Sequence, residues 1–155
     1  MQWVNVIVQG VLIGGLYAMF AAGLSLIFGV MRLVNLAHGD LIVLAAYLAL
    51  VATQAVGVDP LLSLLLVIPA MAAIGYLLQR LLLNRTLGQD LLPPLLVTFG
   101  LSVILQNGLL ELFTADSRRL QLGAIEDASL PLAEGLAVGT LPLLQFAIAV
   151  AVIGL

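Results

Sequence analysis

The sequence predicts an all-α protein: a polytopic transmembrane helical bundle of about four complete spans plus the start of a fifth, with a broken-helix or loop element at residues 35–40. Three observations predict it. First, the 155 residues are 63% hydrophobic and 8% charged. A soluble domain carries about 25% charged residues, so this chain lacks the polar groups to cover a water-facing surface. Second, its apolar residues gather into stretches near the roughly 20 residues that cross a bilayer. Third, a compact polar cluster, Asn35-Leu36-Ala37-His38-Gly39-Asp40, interrupts the apolar sequence between Trp3–Val30 and Leu41–Val56. The whole of 1–155 reads as a single transmembrane domain.

The first span, Trp3 to Val30, exceeds the required length, so it must tilt, bend or end early. The residues before it, Met1-Gln2-Trp3-Val4-Asn5, lack the basic start of a cleaved signal peptide, and the span reads as retained. Gly10, Gly14, Ala18 and Ala22 recur every four residues along it. That spacing places small side chains on one helix face, where another helix can approach closely. The second span runs from about Leu41, or from nearer Leu36, to Val56. Gly57-Val58-Asp59-Pro60 supplies a turn, with Pro60 suited to the first turn of the third span, Leu61 to Leu83. Pro69 within that span predicts a tolerated kink. A polar stretch from Gln79 to Asp90 follows. Pro93-Pro94 then opens the fourth span, which continues to about Phe113.

Thr114 to Thr140 is the one long extramembrane segment, carrying Asp116, Arg118, Arg119, Glu126, Asp127 and Glu134. Leu120 and Leu122 alternate with polar neighbours there, which allows a short strand or hairpin. The fifth span begins near Leu141. The sequence stops at Leu155 inside an apolar run, and a truncated chain is expected. Basic residues favour the cytoplasmic side. With four spans, Arg32, Arg80 and Arg85 fall on one side against Arg118 and Arg119 on the other. The count places the first three in the cytoplasm, and the N-terminus and the 114–140 segment in the periplasm. A mid-membrane break at 35–40 would change the parity of that count.

Composition narrows the chemistry. A net charge of -3 argues against nucleic-acid binding. With no cysteine and a single histidine, neither a metal site nor a nucleophile–base–acid arrangement is expected. No Gly-x4-Gly-Lys-Ser/Thr phosphate loop occurs, so the chain is expected to bind no ATP or other cofactor and not to be an enzyme.

The polar residues admit two readings each. Asn35 and Asp40 can cap helix ends while Gly39 permits the turn. Alternatively, Asn35, His38, Gly39 and Asp40 line a solute path, because irregular backbone at membrane depth survives only within protein or beside a water-filled cavity. His38 and Asp40, two residues apart, point to different helix faces. Late in the fourth span, Gln106 and Asn107 either bridge helices or contact solute. Thr98 and Ser102 share a face and can bond their own backbone carbonyls. Glu111 reads as solvated near the interface.

Three blocks resemble a known family. Gly14-Gly15-Leu16-Tyr17-Ala18-Met19-Phe20-Ala21-Ala22-Gly23-Leu24-Ser25-Leu26-Ile27-Phe28-Gly29-Val30 and Val34-Asn35-Leu36-Ala37-His38-Gly39-Asp40 resemble the opening of the LivH-type permease subunit of branched-chain amino acid ABC transporters. Thr98-Phe99-Gly100-Leu101-Ser102-Val103-Ile104-Leu105-Gln106-Asn107 resembles that family's fourth-span motif. Their order and spacing match across nearly the whole chain. The resemblance implies the N-terminal half of a multi-pass permease in the bacterial inner membrane. It also implies a second permease subunit, two cytoplasmic ATPase subunits that use the ATP, and a periplasmic substrate-binding protein. The implied cargo is leucine, isoleucine, valine or a related small solute. The family's helix that couples to the ATPase lies outside this chain. Two other classes remain open from the residues themselves: a secondary carrier or channel filtering a small polar solute through 35–40, and a membrane scaffold without transport.

Overall fold

The computed structural model describes residues 2–57, 59–86, 88, 90–114, 129–133 and 136–154. Five helices account for most of them: α1 (Gln2–Met31), α2 (His38–Val56), α3 (Pro60–Leu81), α4 (Leu92–Phe113) and α5 (Thr140–Ile153). A 3-10 turn, Leu83–Arg85, follows α3. Strands β1 (Ser129–Ala133) and β2 (Leu136–Gly139) pair antiparallel, with Ser129 opposite Gly139 and Leu130 opposite Val138. Leu120 and Leu122, where alternation suggested a strand, lie outside the described residues.

The helix limits follow local chemistry. Gly57 closes α2 in the left-handed conformation, φ 67°, and its N–H donates to the Thr53 carbonyl at 3.1 Å. The Asp59 side chain then accepts from the Leu61 N–H at 2.9 Å, capping α3 with Pro60 in its first turn. Pro69 sits within α3, which continues through it to Leu81. At the far end of α3, Arg80 Nη1 donates to the Tyr76 hydroxyl at 2.7 Å. Gln79 Nε2 donates to Asn84 Oδ1 at 2.9 Å.

Among the described residues, four helices are long and apolar enough to cross a membrane: α1, α2, α3 extended through Arg85, and α4. Most of their large side chains are exposed, Leu65 and Leu112 to three-quarters or more of their surface. Water would solvate such faces poorly, whereas acyl chains cover them and intrahelical bonds satisfy the backbone. The chain is an integral membrane protein. α1, at 30 residues, measures about 45 Å against a hydrocarbon core of about 30 Å.

The chain divides into two compact units, 27–120 and 1–26 with 121–155. In the first, α2 packs on both α3 and α4, and Leu50, Ala52, Val67, Leu83 and Leu109 are buried. In the second, Leu12 of α1, Val138 of β2 and Ala149 of α5 are buried. The close approach there is at Gly15. A Cβ added to it would lie 2.6 Å from Phe146 Cδ2 and 3.4 Å from Phe146 Cα. Gly10 and Gly14, in the four-residue stripe, have no described atom within 4 Å of an added Cβ, and with Ala18 they are exposed. Ala22 is half-buried.

Candidate functional site

The break between α1 and α2 has a defined form. α1 ends as the Arg32 N–H donates to the Phe28 carbonyl at 2.8 Å, and Arg32 itself takes φ 51°. From there the connector alternates. Leu33, Asn35 and Ala37 are buried, while Val34 and Leu36 are exposed, the two-sided pattern of extended backbone. The Asn35 Oδ1 accepts from the Ala37 N–H at 3.0 Å, and the Asn35 carbonyl accepts from the His38 N–H at 3.2 Å. Asn35 therefore satisfies buried backbone donors at the entry to α2, as a short amide side chain does in turns.

Gly39 differs from its capping reading. It lies inside α2 without a positive φ, so the turn does not depend on it, and the left-handed residue is Arg32. Space beside Gly39 is open to 4 Å among the described residues. Asp40 is not the N-cap either. Ala37 holds that position without a side-chain bond, and Asp40 falls in the first helical turn. A negative side chain is favoured there by the helix dipole.

The Asp40 carboxylate reaches α4. Its Oδ2 accepts from Ser102 Oγ at 2.5 Å, and its Oδ1 accepts from Gln106 Nε2 at 3.1 Å. Gln106 Nε2 also lies 3.1 Å from Ser102 Oγ, closing a three-residue network. Ser102 and Gln106 are four residues apart, so they project from one face of α4 and meet the carboxylate together. Ser102 stands midway along α4 (Leu92–Phe113). Ser102 and Gln106 are the partners of the Asp40 side chain among the described residues, and no Arg joins them.

Two polar neighbours do not join. The Asn107 amide donates to the Val103 carbonyl of its own helix at 2.8 Å and is exposed. Thr98 is fully buried and bonds the Leu95 carbonyl at 3.1 Å, as its position predicted. Ser102, expected to do the same, instead bonds across helices. His38 opens α2, half-buried. Glu111 is exposed, as expected.

Beside the network, α2 and α4 bound a groove of about 440 Å³. α2 contributes Asp40, Val43 and Tyr47; α4 contributes Gln106, Leu109 and Leu110, and Thr114 follows at its end. Each set lies at spacings of three and four on one helix face. The Tyr47 ring stacks on Phe113 with centroids 4.3 Å apart, which fixes one wall. The two contacts, Asp40 with Ser102 and Tyr47 with Phe113, advance in the same direction along both helices, so α2 and α4 run parallel here. Sequence reasoning missed Val43, Leu109 and Leu110 because they are ordinary apolar residues until a carboxylate shares their groove.

No solved structure matches the chain. It is 28% identical over 117 residues to the high-affinity branched-chain amino acid transport system permease protein BraD of Pseudomonas aeruginosa, covering 70% of this chain and 38% of that protein. It is 28% identical over 109 residues to the LivH proteins of Salmonella typhimurium and Escherichia coli, covering 64% of this chain and 35% of each. The matched stretch thus spans little more than a third of those relatives. A family model described as "Branched-chain amino acid transport system / permease component" matches residues 6–155. With the helices, the broken segment and the match extending over almost its full length, the chain belongs to the family of branched-chain amino acid transport system permease components.

Proposed function

We propose that this chain forms part of the permease subunit of an ABC importer that carries leucine, isoleucine, valine or a related small solute across the bacterial inner membrane. The observation that carries the reading is the Asp40–Ser102–Gln106 network, which ties the break between α1 and α2 to the middle of a helix of membrane-spanning length. α4, at 22 residues, measures about 33 Å, close to the thickness of the hydrocarbon core. Its midpoint then lies deep in the bilayer, and Asp40 with it. A carboxylate at that depth is costly to retain and faces protein or water in membrane proteins, where it serves solute or ion movement. On this reading Asn35, His38, Gly39, Asp40, Gln106 and Asn107 border the translocation path. Asn35 shapes the break, and Asp40 with Gln106 presents polar atoms to the solute. The small-residue face at Gly10, Gly14, Ala18 and Ala22, exposed at its first three positions, serves helix packing in the assembled transporter.

ATP hydrolysis belongs to two cytoplasmic ATPase subunits rather than to this chain. A second permease subunit completes the path, and a periplasmic binding protein delivers the solute. Reconstitution of the complete permease with these partners in proteoliposomes tests the proposal. ATP-dependent uptake of radiolabelled leucine, isoleucine or valine is expected. Uptake that persists with the ATPases omitted would indicate a secondary carrier or channel. No uptake of these or related solutes would leave a scaffold.

A further inference from the structure

We infer that the groove between α2 and α4 is the seat of the solute's ammonium group: an aliphatic amino acid lies with its α-ammonium on Asp40 and its side chain against Val43, Leu109 and Leu110. This rests on the transport reading above and names the chemistry of that site.

The acceptors match an ammonium. A carboxylate offers about four lone-pair positions. Ser102 and Gln106 occupy two of those on Asp40. The hydroxyl and the amide are neutral donors, and no Arg contacts the carboxylate among the described residues. Asp40 is half-buried and lines the groove, so its remaining acceptor positions are within reach of a ligand. The Gln106 side-chain carbonyl, beside it, takes no hydrogen bond among the described residues. An ammonium brings three donors and one positive charge, which is what this set lacks. A divalent metal fits it poorly, since Ca²⁺ needs six to eight oxygen ligands and Mg²⁺ six in near-octahedral array. No group of three potential metal ligands occurs among the described residues.

The side chains between the two ends of the groove are largely aliphatic, with Tyr47 and Thr114 at the end away from Asp40. From Asp40 to Tyr47 along α2 is two helical turns, about 10 Å. Val43 lies on that path, with Leu109 and Leu110 from α4. A volume near 440 Å³ falls within the range of about 300–1,000 Å³ that small-molecule sites occupy. A charged anchor beside the apolar side chains of Val43, Leu109 and Leu110 suits an ammonium carrying a branched hydrocarbon. A solute of net negative charge would be repelled at the anchor.

The test uses the complete transporter in proteoliposomes, with the binding protein unaltered so that any change in selectivity arises in the permease. Asp40→Asn removes the charge and keeps the shape. Loss of a hydrogen bond to a charged group predicts a rise of about 10- to 100-fold in the KM for leucine uptake. Asp40→Glu, which retains the charge, should recover part of it. On the opposite wall, Leu109→Phe narrows the groove without touching the carboxylate, and should shift the leucine-to-valine uptake ratio toward valine by at least about threefold. If the original protein transports leucine and Asp40→Asn leaves its KM unchanged, the ammonium assignment is overturned and the transport reading stands. Should Asp40→Asn fail to assemble, Leu109→Phe decides, and an unchanged ratio overturns the assignment. Absence of uptake by the original protein overturns both.

Discussion

Asp40 and Ser102, 62 residues apart in sequence, share a hydrogen bond of 2.5 Å that joins the first turn of α2 to the middle of α4. Because the acceptor is a carboxylate, this contact is of the stronger class, about 1.5–3 kcal/mol. Ser102→Ala and Asp40→Ala should each lower the thermal stability of the detergent-purified protein. Their effects should not add, since either change removes the same contact. A double-mutant cycle read by thermal unfolding checks this. Strict additivity would show that the two residues act independently.

The connector makes a second expectation. Asn35 is buried, and its side-chain oxygen takes the Ala37 N–H. Asn35→Ala would leave that donor unsatisfied, at about 1–3 kcal/mol. Asn35→Asp, which keeps an acceptor in the same place, should lose less. Amide hydrogen exchange at Ala37 and His38 should accelerate in the alanine variant before exchange in the middle of α2 changes.

A third concerns the approach of α5 to α1. A methyl group at position 15 would overlap the Phe146 ring. Gly15→Ala should destabilise by about 1–3 kcal/mol, the usual cost of overpacking. Phe146→Ala in the same protein should return part of that. Gly14→Ala meets open space. In the isolated chain it should be neutral, or stabilising by up to about 1 kcal/mol through helix propensity. Thermal unfolding of the three variants in one detergent separates the two glycines.

Gly39→Ala offers a fourth expectation with a functional reading. The position is helical and uncrowded, so alanine should be tolerated or should stabilise α2 by up to about 1 kcal/mol. If Gly39 borders the solute path, uptake by the reconstituted transporter should fall although stability does not.

The helices were legible because each apolar run ends in residues with one strong local preference. Gly57, Asp59 and Pro60 do at that turn what their types dictate, and Pro93-Pro94 opens α4 within a residue of the expected place. Contacts between helices were not legible from such signals. Ser102 has a backbone carbonyl available on its own helix, as Thr98 does, and nothing local says that a carboxylate from α2 will arrive instead. Gly14 and Gly15 differ by about 100° of helix rotation. Which one is approached depends on Phe146, far along the chain. A short strand or hairpin is expected in the 114–140 segment around Leu120 and Leu122. The strands at 129–133 and 136–139 are not singled out, because Ser129-Leu130-Pro131-Leu132-Ala133 carries a proline and no clean alternation.

The alternating burial of Leu33, Asn35 and Ala37 makes the connector a gauge of length as well as a link. Its residues alternate with a period of two, while α2 beyond it turns about 100° per residue. Adding or deleting one residue between Arg32 and Ala37 would exchange its inward and outward side chains, turning Asn35 out and Val34 or Leu36 in. It would also rotate the start of α2 by more than a quarter turn, carrying Asp40 away from Ser102 and Gln106. Substitutions in this segment alter single bonds, whereas a change in its length would put the whole second helix out of phase with the fourth.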